Sequence, residues 1–180
     1  MRHALALVLL CAAACTPEAR QHAFPKHAVE AAPSASLASQ DRDFLERAAE
    51  GNNAEIAIGG LVDGRAASGD VVAFGHMLVA DHTAAKNELT AIAAAKHITP
   101  PTDLGESQAS FDKLVDQQLE PFDHAFARTM VDDHAQAAEL YRNEAAGGAD
   151  PQLKAYAART LPVIEAHLAK AKTLPGANVP

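Results

Sequence analysis

Four stretches of this chain repeat apolar or small residues at alternating spacings of four and three. That rhythm belongs to helices facing a shared interior. The first stripe is Phe44, Ala48, Gly51, Glu55, Ile58 and Val62, and the second is Val71, Gly75, Leu78, His82, Ala85, Leu89 and Ile92. The third is Asp123, Ala127, Met130, His134, Ala137 and Tyr141, and the fourth is Leu153, Ala157, Thr160, Ile164, His167, Ala171 and Leu174. Aromatic residues are only 4% of the chain and Trp is absent. An alanine-rich chain of this kind suits closely packed helices and lacks the bulky residues a β-sandwich needs. With 180 residues, 48% of them hydrophobic, it can bury one sizeable core.

Local signals set the expected boundaries. The first helix is predicted from Asp41 to Ala66, with the poor helix formers "GNN" at 51–53 marking a kink or a close approach. "SGD" at 68–70 ends it and caps a second helix running to Lys96, which "ITPP" stops. A long connection holds a short helix over Ser107 to Gln118. The third helix opens at Pro121 and ends before Gly147-Gly148. The fourth starts at Asp150-Pro151 and runs to Leu174, with Pro162 bending or splitting it. Short, long and short connections between four long helices predict an all-α, up-and-down bundle with one crossover.

The ends of the chain read differently. "MRHALALVLLCAAAC" combines a basic start, an apolar run and small residues before Cys15, as a secretory signal does. The alanines ahead of Cys15 resemble a bacterial lipoprotein processing site, which makes Cys15 the expected lipidated residue. Ordinary cleavage after Ala14 is the alternative. Domain organisation follows: a signal segment at 1–15, a flexible linker at 16–40, a helical domain at 41–174 and a tail at 175–180. His22 and His27 fall in the linker, where solvated side chains are expected. Cys11 leaves with the signal, so the mature domain has no disulfide. The formal net charge of -8 excludes general nucleic-acid binding, which wants a basic face. The expected location is the periplasm, anchored through lipid to the outer membrane.

Each core stripe carries one residue able to bind metal: Glu55, His82, His134 and His167. "VADHTAAKNEL" and "VDDHAQAAEL" place an Asp-His pair at equivalent points on the second and third helices. At about 1.5 Å per residue, Glu55 and His82 lie level, and His134 and His167 lie within roughly 4–5 Å of level. One glutamate and three histidines suit Zn, Cu, Fe or Mn. Asp81 and Asp133 point about 100° away from their own histidines. They are predicted to bond across the interface, Asp81 to His134 and Asp133 to His82, as partners behind the ligands. The competing reading is a polar layer in which the same groups satisfy one another. A di-iron oxidase is disfavoured, because "EAH" at 165–167 lacks the Glu-x-x-His spacing. His76, Met77 and Met130 are a weaker copper candidate, and Ser68, Ser107 and Ser110 read as helix caps. No Gly-rich phosphate loop and no Ser or Cys nucleophile beside a base is present, so nothing points to a catalytic apparatus.

The segments "FLERAAEGNNAEIAIGGL" (44–61), "FGHMLVADHTAAKNEL" (74–89), "FDHAFARTMVDDHAQAAEL" (122–140) and "DPQLKAYAARTLPVIEAHL" (150–168) resemble the DUF4142 family of bacterial exported proteins. The resemblance covers residues 41–174 and implies a ferritin-like helical bundle in the cell envelope, with no established activity. Envelope maintenance or stress response is the expected role. A metal-dependent redox protein and a protein-interaction module are the alternatives. In cells, Cys15→Ser is expected to abolish incorporation of radiolabelled palmitate. Labelling that persists rules out Cys15 as the anchor.

Overall fold

The computed structural model describes residues 36–177. The signal segment, Cys15, His22 and His27 lie outside these residues, as does most of the linker. Among the described residues every regular element is helical: α1 (Ser39–Gly59), α2 (Gly69–Ala95), α3 (Gln108–Val115), α4 (Leu119–Gly147) and α5 (Pro151–Ala171). A single 3₁₀ turn, Gly105–Ser107, leads into α3. The all-α expectation therefore holds.

The long helices pair first as two hairpins, α1 with α2 and α4 with α5. The hairpins then meet through α2 against α5 and α1 against α4. Two apolar clusters form between them. One gathers Phe44, Leu45, Leu89, Tyr141, Leu153 and Tyr156. The other gathers Ile58, Phe74, Leu78, Phe122, Phe126 and Met130. Chain direction can be read from the order in which each helix visits them. α1 and α5 run from the first cluster to the second, and α2 and α4 run the opposite way. α2 thus ends at the opposite end from where α4 begins, and the connection carrying α3 returns between them.

Local chemistry explains the ends. Ser68 Oγ accepts the Asp70 N–H at 3.2 Å, and Asp150 Oδ1 accepts the N–H groups of Gln152 and Leu153 at 3.0 Å. Ser107 makes no side-chain cap, so that expectation fails. α1 stops at Gly59, seven residues short of the expected Ala66. The reason is close packing: a Cβ on Gly59 would lie 2.7 Å from the Gly75 carbonyl oxygen, and one on Gly75 would lie 2.5 Å from Val62 Cγ1. The turn folds Val62 back against α2 instead of extending α1. α4 begins two residues before Pro121, whose missing N–H costs nothing in a first turn. α5 ends at Ala171 rather than Leu174 but passes unbroken through Pro162.

Two buried aspartates lock the hairpins together. Asp41 on α1 accepts the N–H groups of Ala149 and Asp150 at 2.9 and 3.1 Å, in the α4–α5 turn. Asp123 on α4 accepts the N–H groups of Ala67 and Ser68 at 3.2 and 2.8 Å, in the α1–α2 turn. Each hairpin thus caps the other's turn from the start of its own first helix. Glu144 packs beside Asp41, and burial together with that neighbour pushes its carboxyl up to about 7. Lys96 adds a bond to Asp150 at 2.6 Å, tying the end of α2 to the start of α5.

Asp123→Ala leaves two backbone donors without their acceptor. It is expected to destabilise the protein by about 1–3 kcal/mol, read as a lower urea midpoint at unchanged slope. An unaltered midpoint would show that the clamp contributes nothing.

Candidate metal centre

A polar layer separates the two apolar clusters. On each long helix one buried ionisable residue lies between the cluster members: Glu55 on α1, His82 on α2, His134 on α4 and His167 on α5. The three imidazoles meet. Their ring centroids are 5.7 Å apart for His82 and His134, 5.4 Å for His82 and His167, and 5.3 Å for His134 and His167. One ligand nitrogen from each ring lies within 4.8 Å of those of the other two. The small difference in height estimated along α4 and α5 does not keep His134 and His167 apart. Phe74 closes one side, its ring edge-on to His167 at 6.0 Å.

Each ring is held by one nitrogen. His134 Nδ1 donates to the Met130 carbonyl at 2.9 Å. His167 Nε2 is 2.9 Å from Asp81 Oδ2. His82 Nδ1 is 2.9 Å from Asn52 Oδ1, while Asn52 Nδ2 donates to the Tyr156 hydroxyl at 3.4 Å. All three partners are acceptors, so the bonded nitrogen carries the proton and the other nitrogen keeps a lone pair. Those other nitrogens are His82 Nε2, His134 Nε2 and His167 Nδ1, and each is buried with no hydrogen-bond partner in the protein.

Both expected Asp–His pairings across the interface need correction. Asp81 does not reach His134; it bonds His167, because the side of α2 next to His82 lies against α5. Asp133 does not reach His82; it accepts from Ser110 Oγ on α3 at 3.3 Å. Ser110 is therefore a partner of Asp133 and not a helix cap. Glu55 is outside the group of three imidazoles whose nitrogens come together. Its Oε1 is 3.6 Å from His134 Nδ1, the nitrogen already committed to Met130. The copper candidate is dispersed. Met130 is in the core, Met77 is exposed, and His76 bonds Asp63 at the surface.

The sequence stripe missed Asn52. It had put Gly51 inward, but Asn52 is the buried residue of the pair, 2% exposed. An asparagine deep in a long helix is unfavourable, and that cost was the available signal that its side chain is used. Tyr156 was missed as well. Its hydroxyl donates to the Ala85 carbonyl at 3.2 Å and sits 3.3 Å from the Tyr141 hydroxyl, which completes the support behind His82.

Burial sets the charge state. Desolvation, then the charges of His134 and His167, hold His82 well below the ordinary imidazole range. Desolvation and His167 lower His134 to about 3, against the raising effect of the Met130 carbonyl. Desolvation, reinforced by Asp133, pushes Glu55 well above the usual carboxylate range. With His134 uncharged above about pH 3, its contact with Glu55 is not an ion pair at ordinary pH. In metal-free protein the depressed histidines stabilise the fold above the ordinary imidazole pKa of 6.5, and that contribution is lost as pH falls toward about 3. The unfolded chain takes up protons there that the folded chain refuses. A His82→Gln/His134→Gln variant is expected to lose less stability than the wild type over this interval in urea titrations. Parallel pH profiles would show that the rings are not buried neutral.

Comparison with family models matches residues 26–174 to DUF4142, described as a domain of unknown function. The match starts earlier than the expected residue 41. No curated protein and no solved structure matches the chain.

Proposed function

The chain belongs to the DUF4142 family, whose description assigns no activity, and from the site itself we propose that it holds one divalent transition metal on His82, His134 and His167. The observation that carries this reading is the set of three buried, unpartnered imidazole nitrogens, each on a ring whose other nitrogen is already anchored. A self-satisfied polar layer would have used those lone pairs. Leaving them unpaired in the interior costs roughly 1–3 kcal/mol each, and a metal ion offsets that. Anchored imidazoles are the usual surroundings of a metal-bound histidine. Zn²⁺ and Cu²⁺ suit an all-imidazole set best, with Fe and Mn behind them. Three protein ligands leave a position open for water or a small ligand.

We place this centre in a ferritin-like four-helix bundle. The antiparallel hairpins and the long return connection support that architecture. The site lacks the carboxylate-rich ligand set of the di-iron proteins, so the proposed role is metal binding in envelope maintenance or stress response. Export through the signal segment and anchoring at Cys15 complete the proposal. Among the described residues no helix is long and apolar enough to cross a membrane, so attachment would rest on the lipid. The large exposed apolar residues Met77, Leu119 and Val163 sit on three different helices, which gives no support to an apolar docking surface.

Protein purified without chelator is expected to contain close to one metal per chain by elemental analysis. Metal at 100-fold its Kd should add about 2.7 kcal/mol of stability. Asn52→Leu, which removes the anchor of His82, should weaken binding about 10–100-fold while retaining the fold. Metal-free protein that gains no thermal stability from Zn, Cu, Fe or Mn overturns the proposal.

A further inference from the structure

Two cavities flank the three histidines, and their chemistry differs. The first, about 180 Å³, lies between α1, α3 and α4. His82, His134 and Glu55 line it, and so do Glu50, Glu106 and Asp133. Four carboxyl groups thus face one guanidinium, that of Arg47, which already lies 3.9 Å from both Asp43 and Glu106. Glu55 is only 6% exposed, and its Oε2 has no hydrogen-bond partner. Asp133 Oδ2 is likewise buried without a partner. Buried carboxyl oxygens left without a partner suit a cation.

The second cavity, about 290 Å³, lies between α2 and α5 and touches His82 and His167. Its carboxylates are already engaged. Asp81 holds His167, and Glu88 is paired with Arg159. Ala84, Ala85 and Val163 make up much of the remaining wall.

Building on the metal-binding reading above, we propose that the first cavity is the route by which a divalent cation reaches the histidines. Glu55 and Asp133 form a transit subsite within it. The cation exchanges water for carboxyl oxygen at Glu55 and Asp133, the proton that burial favours on Glu55 passing to the cavity water, and then exchanges carboxylate for imidazole at the three rings. Because Glu55 meets His134 at the nitrogen already bonded to Met130 and is outside the group of three imidazoles, it can pass the ion inward without competing as a final ligand. Ser110 on α3 holds Asp133 at the cavity wall, leaving one of its oxygens free.

The test is stopped-flow loading of Co²⁺ into chelator-treated full-length protein, followed by the visible absorbance of the bound ion. Glu55→Gln/Asp133→Asn is expected to slow loading at least about 10-fold, within the range that charge at a binding cleft contributes to association. The final stoichiometry should remain that of the wild type. Glu88→Gln, which alters only the second cavity, should load at the wild-type rate. Circular dichroism checks the fold of each variant, and the two single substitutions, each expected to slow loading, serve if the double variant does not fold. Loading at the wild-type rate in the folded variants overturns the route while leaving the metal site standing. Slowing by Glu88→Gln instead would assign entry to the second cavity. Wild-type protein that takes up no Co²⁺, Zn²⁺ or Cu²⁺ overturns the metal reading, and the route with it.

Discussion

An imidazole sealed away from water must stay neutral, and its N–H must find an acceptor. Three such rings share one layer of this protein, and most of the surrounding architecture answers that demand. A main-chain carbonyl serves His134, a carboxylate serves His167, and an amide backed by a tyrosine serves His82. Once those three bonds are made, the rings cannot turn to satisfy one another. Their remaining lone pairs stay buried and unused. The layer is stabilised on its outside and unsatisfied on its inside.

Such a layer requires the helices to keep their heights. Shifting one hairpin along the other by a single turn, about 5.4 Å, would carry an imidazole into an apolar cluster. The reciprocal aspartates oppose that slip, because Asp41 and Asp123 each bind the opposite hairpin's turn through two backbone N–H groups. Gly59 and Gly75 set a second limit by letting α1 and α2 approach until backbone and side chain touch. Aromatic contacts fill the remaining space. Phe44 packs edge-on to Tyr141 at 5.0 Å in one cluster, and Phe74 packs edge-on to Phe126 at 6.2 Å in the other. The site thus inherits its geometry from contacts made at the ends of the molecule.

Charge in the cavities follows from the same constraint. Asp81 and Asp133 occupy equivalent sequence positions, one residue before a buried histidine, yet they have different partners. Asp81 is turned toward α5 and spends its oxygen on His167. Asp133 is turned toward α3 and keeps one oxygen buried and unused, in the cavity that Glu55 also lines. A repeated dipeptide has become one anchor and one open carboxylate.

How much of this was legible in the chain depends on range. Helical periodicity is a local property, so the four stripes placed Ile58, Leu78, Met130 and Ile164 inward and brought His82, His134 and His167 to one level. Position along a helix is nearly linear in residue number, which is why the height estimate sufficed. Rotation was harder to read. Gly51 and Asn52 both fit the first stripe, and only packing against His82 and Tyr156 chose Asn52. The partners of Asp81 and Asp133 were unreadable, because they depend on which neighbour lies along each side of a helix, and that is settled by all the helices together. The amino-acid order by itself determined the all-helical fold, its apolar faces and the three imidazoles within it. The tertiary structure alone decided which nitrogen of each ring is occupied and where the carboxylates lead, because hydrogen bonds between helices form only after packing has fixed distance and direction.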